Sequence, residues 1–228
     1  MLIAGDLVLL LPNDETGKLV ASASEVEVAL GGALLAELTL MQRLDLAGPS
    51  EQVRKGHLVV RDASATSDPL LDEALAIAGE KQGKKPHNVV TALGKRVRVR
   101  LYDRLAGRGL LRAGSGKVLG VFSRRHWPAQ DAAREDSVRA DLLTALRNAM
   151  APPDPRTGAL ISLLLALNAV HKAVDPAAAG LSKREMNANA KRIAGGDWAS
   201  DAVRHAIDSM NAAVIAATSS TAVFGGGT

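Results

Sequence analysis

The chain contains no cysteine. Disulfides, thiolate nucleophiles and cysteine-based zinc sites are therefore excluded from its 228 residues. Aromatic side chains are nearly as scarce at 2%, with Trp 2, Tyr 1 and Phe 2. The hydrophobic fraction is nevertheless 47% and the mean hydropathy +0.06, so leucine, alanine and valine must supply the core. Alanine and leucine lose little side-chain freedom in a helix, and the expected fold class is mainly α. Long apolar runs are missing too. The longest are Leu7–Leu11 and Ala159–Val170, the second interrupted by Ser162 and Asn168. A helix needs roughly 20 apolar residues to span a bilayer, so neither is expected to cross one. The start, Met1 to Asp6, lacks the basic region of a secretory signal, and a cytoplasmic location is the expectation.

Catalytic motifs are absent as well. Gly114-Ser115-Gly116-Lys117 lacks the earlier glycine of a phosphate loop, and Val118 stands where Ser or Thr would hold magnesium. The histidines, at positions 57, 87, 126, 171 and 205, include no pair four apart on a helix for zinc. No Gly-x-Ser-x-Gly elbow presents a serine nucleophile. Glu37 lies within an apolar helical pattern. It is either a carboxylate whose pKa burial raises or a satisfied structural group, and the second reading is favoured. These residues point to a non-catalytic protein without metal or cofactor.

What the chain does have is uneven charge. Residues 95–125 carry ten basic side chains against one acid, Asp103. Residues 1–94 carry 8 basic and 13 acidic side chains, and residues 126–228 carry ten of each. One short segment thus holds the whole positive excess of +4. Either it presents a positive potential to an anionic partner, or its arginines pair with the acidic first part.

Helical spacing runs through Ala23–Arg43, interrupted in composition by Gly31-Gly32, which implies close packing or a break. Leu58-Val59-Val60 reads as a short strand, and Ser67-Asp68-Pro69 as the capped start of a helix ending by Gly83. Lys84-Lys85-Pro86 reads as a linker and His87–Gly107 as a helix with Leu93, Val97, Leu101 and Leu105 on one face. Leu110 to Phe122 reads as a β-hairpin around Gly114-Ser115-Gly116. Helices are expected at Gln130–Met150, Thr157–Val174, Lys183–Ala194 and Trp198–Ala217. Residues 1–220 form one domain in this reading, with 221–228 as a flexible tail.

On the basic helix, Lys95 and Arg98 share one flank of the apolar face, while Arg96, Arg100 and Arg104 form a stripe on the other. Such clusters suit phosphate, because guanidinium grips two oxygens and ammonium adds a point charge. The hairpin is apolar on both faces, with Val118, Leu119, Val121 and Phe122 flanked by Arg124 and Arg125. Its second face calls for a partner subunit or a membrane interface. A helix followed by a basic hairpin also fits a winged DNA reader using the arginine stripe, although the hairpin tip carries no base.

Five segments in order resemble the Golgi phosphoprotein 3 family and its bacterial relatives, over Asp6 to about Ala217. They are Leu34–Leu46 (LLAELTLMQRLDL), Asp68–Leu75 (DPLLDEAL), Arg104–Arg112 (RLAGRGLLR), Val118–Pro128 (VLGVFSRRHWP) and Asp154–Leu167 (DPRTGALISLLLAL). The resemblance implies a helical domain with a protruding apolar hairpin, and a peripheral membrane adaptor that binds phosphatidylinositol 4-phosphate. It implies headgroup contacts at Lys95 and Arg98, to which the charge and position of Arg96 on the same helix add a third expected contact. The family's third pocket arginine falls at Gly31 and its membrane-facing tryptophan at Ser22. Those departures widen the expected ligand to anionic headgroups. The partners expected are therefore an anionic lipid, a protein client and a second copy through the hairpin, with nucleic acid as the alternative. The expected placement is cytoplasmic, peripheral on the inner face of the membrane.

Overall fold

The first apolar run closes into a helix, α1 (Ile3–Leu10), and all eight of its residues are buried. A helix apolar nearly all round has no solvent face to offer, so it sits inside the molecule. The computed structural model describes residues 1–11, 20–107, 129–196 and 212. Side chains 97–99, 102, 105–106 and 129–132 lie outside that description. Among the described residues there are nine helices and one two-stranded sheet, which makes the fold mainly α, as the composition predicts.

Ser22 starts α2 (Ala23–Leu40) with a capping box: its hydroxyl accepts from the Glu25 N–H at 3.3 Å, and the Glu25 carboxylate accepts from the Ser22 N–H at 2.7 Å. Gly31 and Gly32 do not break this helix. Asp68 caps α3 (Pro69–Glu80), with proline in the first turn as expected. The next helix, α4 (Pro86–Gly107), makes the most extensive helix contact among the described residues, with α2. A β-carbon built on Gly31 would overlap the Val90 carbonyl oxygen and stand 2.8 Å from the Gly94 nitrogen. One on Gly94 would overlap the Glu27 carbonyl in the same way. The two glycines thus let antiparallel α2 and α4 touch backbone to backbone, which settles the Gly31-Gly32 alternatives in favour of packing.

Between α2 and α3 lie β1 (Leu44–Leu46) and β2 (Leu58–Val60), antiparallel with Leu44 opposite Val60 and Leu46 opposite Leu58. Only β2 was expected. Arg61 closes this small sheet by gripping both oxygens of Glu51 at 2.8 Å, and the Gly48 N–H donates to Glu51 at 2.8 Å. The Arg61 hydrogen bond first, then that of Gly48, holds the Glu51 carboxyl down at about 2. Because the folded value lies below the unfolded one, its stabilisation is complete above the ordinary carboxylate range and is lost as pH falls from about 4.5 towards 2. A carboxyl NMR titration should place the Glu51 midpoint near 2 in the native chain. An ordinary midpoint would show that the Arg61 fork does not hold in solution.

The second half adds α5 (Ala129–Arg147), α6 (Pro155–Ala166), α7 (Val170–Ala173), α8 (Pro176–Ala179) and α9 (Lys183–Ala194). The expected single helix Thr157–Val174 is two. It starts earlier because Asp154 caps and Pro155 takes the first turn, and it breaks at Asn168, whose φ of 50° is left-handed. Asparagine tolerates that conformation better than most residues. The expected hairpin, the helix Trp198–Ala217 except position 212, and the tail lie outside the described residues.

One continuous core joins these helices, with α1 packed against α2, α5 and α6. Three carboxylates, Asp6, Glu37 and Glu135, are buried in it among the described residues, and Arg139 meets Glu135 at 2.6 Å. Asp6, only 1% exposed, accepts from Arg134 Nε at 2.9 Å and Nη2 at 2.7 Å. Buried Glu37 accepts from the Ile3 N–H at 2.6 Å and from Arg156, which also donates to the Met1 carbonyl at 2.8 Å. Arg156 Nη2 lies 3.7 Å from Asp6 as well. Glu37 therefore has the structural role that the sequence favours.

Candidate functional site

The α4 helix owes its exposed basic face to a lack of acids. From Lys81 to Tyr102 the sequence has no carboxylate. Packing against α3 partly offsets that. Arg96 meets Glu80 at 2.6 Å, Arg100 meets Glu73 at 3.2 Å, and Arg104 meets Asp68 at 3.0 Å. The acids descend in sequence as the arginines rise, so antiparallel α3 and α4 match charges rung by rung. Exposed pairs of this kind contribute about 0–1 kcal/mol each, but they do offset the positive field of the stripe. Compensation by the acidic first part of the chain thus applies to Arg96, Arg100 and Arg104.

Lys95 differs. It is exposed, and no carboxylate pairs with it among the described residues. It follows Gly94, the residue pressed against Glu27, and so stands where α4 passes the first turns of α2. The N-terminus of α2 brings its partial positive charge to this place, while Glu25 and Glu27 bring negative charge. Arg98 lies one turn further along the α4 backbone, and its side chain is outside the described residues. So are Val118, Leu119, Val121 and Phe122.

The two positions where the family pattern departs have local duties. Ser22 is exposed and occupied in the α2 capping box. Gly31 is buried in the crossing and could carry no side chain there, so it lines no surface a headgroup could reach. Among the described residues, no three His, Asp or Glu side chains converge on a metal position, and no helix is long and apolar enough to cross a membrane.

The family model of Golgi phosphoprotein 3 (GPP34) matches residues 3–210. The chain belongs to that family. No individual curated protein matches it. For a Golgi phosphoprotein 3 family member, the match runs from α1 through the basic helix, the predicted hairpin and past α9, so Lys95 and Arg98 fall well inside it.

Sequence reasoning allowed that the arginines pair with the acidic first part but did not name the partners, which lie on α3, 16 to 36 positions away and beyond the reach of local spacing. Lys85, read only as part of a linker, stands with Arg54 and Lys55 around a cavity at the start of α4.

Proposed function

We propose that this chain is a non-catalytic peripheral membrane adaptor that binds anionic, phosphoinositide-like headgroups through Lys95 and Arg98. Arg96, already shared with Glu80, plays a supporting part. Family membership supports the reading, and one observation carries the site: Lys95 lies exposed without a carboxylate partner among the described residues, whereas Arg96, Arg100 and Arg104 each have one. Each cation near an anionic leaflet contributes about 1 kcal/mol, so two or three give weak, salt-sensitive attachment. The hairpin residues Val118, Leu119, Val121 and Phe122 add shallow insertion or contacts with a second copy, and a protein client completes an adaptor. The nucleic-acid alternative draws less support, because the arginine stripe it needs faces the acids of α3.

Co-sedimentation with phosphatidylcholine vesicles containing phosphatidylinositol 4-phosphate tests this. Lys95→Ala with Arg98→Ala should abolish binding, given about 1 kcal/mol per cation, while leaving the melting temperature nearly unchanged. Undiminished binding by the double variant would overturn the site.

A further inference from the structure

Two stretches far apart in sequence build a second basic site. The turn Arg54 to His57 and the segment entering α4 at Lys85 to His87 enclose an open cavity of about 270 Å³. Arg54, Lys55, His57, Lys85 and His87 line it, and no carboxylate does. Backbone bonds fix the two stretches together. The Leu58 N–H donates to the Lys84 carbonyl at 3.0 Å, and the Gly83 N–H donates to the Leu58 carbonyl at 2.8 Å. Gly56 and Gly83 make the turns, each with φ of 77°, a conformation side-chain-bearing residues rarely adopt. The cavity is therefore braced by main-chain structure rather than by the cations themselves.

His57 reinforces the brace. Its Nδ1 lies 2.7 Å from the Gly83 carbonyl. A carbonyl only accepts, so Nδ1 carries the proton, the ring is held, and Nε2 is the nitrogen left out of that bond. Arg54, Lys55 and Lys85 are all exposed, and none has an ion-pair partner among the described residues. Three like charges converging without a counter-charge is an unfavourable arrangement that an anion relieves.

The chemistry narrows which anion. The absence of carboxylates from the lining disfavours a metal cation. No Phe, Tyr or Trp lines the cavity, so the large ring faces on which nucleobases usually stack are missing from it. At about 270 Å³ the cavity falls just below the range of drug-sized pockets, roughly 300–1,000 Å³, and suits a compact head. Three cations match the charge and oxygen count of a phosphate monoester better than a single carboxylate. His87 stands about 12 Å along α4 from Lys95, so this cavity is separate from the site proposed above.

We infer that the cavity between Arg54–His57 and Lys85–His87 is a second anion site that binds a phosphate monoester. The chemistry is common to a soluble phosphorylated compound and to a lipid phosphate headgroup.

The test uses the full chain. In the first arm, inorganic phosphate is titrated at constant ionic strength, with chloride as control, and backbone amides are followed by NMR. Phosphate should shift Gly56, His57, His87 and Asn88, and Arg54→Ala/Lys55→Ala/Lys85→Ala should weaken it about ten-fold or more. Lys95→Ala/Arg98→Ala should leave this binding intact, which separates a failure here from a failure of the membrane site. In the second arm, wild type and the triple variant are sedimented with phosphatidylcholine vesicles containing phosphatidic acid. Loss of both phosphate and vesicle binding supports the site and makes its ligand a lipid headgroup. Loss of phosphate binding alone supports the site with a soluble ligand. Equal shifts with chloride, or a triple variant that binds phosphate like the wild type, would overturn it.

Discussion

Arg156→Ala should cost the protein roughly 3–5 kcal/mol, the usual penalty for removing one partner of a buried charge network. The reason lies in what stays behind. Glu37 is buried, and Arg156 is its cationic partner. Arg156 also holds the Met1 carbonyl at 2.8 Å and approaches Asp6 at 3.7 Å, so its loss loosens the entry to α1. Asp6 keeps its bidentate fork with Arg134, which limits the damage to the Glu37 half of the cluster. At about 2–4 °C per kcal/mol for a chain this long, the melting temperature should fall by roughly 10 °C. Arg156→Lys keeps the charge but cannot reach Glu37 and Met1 with two nitrogens of one planar group, so it should fall between. Urea denaturation of the three proteins decides the matter. A loss below about 1 kcal/mol for Arg156→Ala would show that solvent already compensates Glu37.

The same cluster marks the boundary of what the sequence reveals. Local features were legible because their causes are local. The Asp68 cap, the Pro69 start and the three- and four-residue spacing of apolar side chains place α2, α3, α4 and α9 within a few residues. A helix with no polar face, such as α1, has no period to detect, and a three-residue strand such as β1 has no room for alternation. The break at Asn168 rests on a single left-handed residue inside an otherwise continuous helical pattern. Pairings are harder still. Asp6 and Arg134 are 128 positions apart, and nothing near either predicts the other. For the site, spacing on one helix sorted Lys95 from the arginine stripe, but only the packing of α3 shows that the stripe is paired. The second basic cavity was hidden for the same reason, since Arg54 and Lys85 fall within a region whose net charge is negative.

Gly31→Ala should destabilise the chain by about 3 kcal/mol, near the upper end for overpacking a tight contact. In an open helix the same change gains about 1 kcal/mol, because alanine restricts the unfolded backbone. The sign at Gly31 is set by what the added methyl meets. Its neighbours are the Val90 carbonyl and the Gly94 nitrogen, backbone atoms of a helix that no rotamer change can move aside. Relief requires α2 and α4 to separate, and that would disturb the most extensive helix contact among the described residues. Gly79 supplies the control: it is helical and exposed, and a β-carbon there meets nothing within 4 Å. Gly79→Ala should therefore stabilise, by up to about 1 kcal/mol. Equal effects of the two substitutions in thermal unfolding would refute the backbone crossing. The crossing also bears on function, since it sets Lys95 against the start of α2. If the headgroup draws on the α2 N-terminus as well as on Lys95 and Arg98, a folded Gly31→Ala protein should bind anionic vesicles more weakly than its stability loss explains. Unchanged vesicle binding would confine the site to α4 alone.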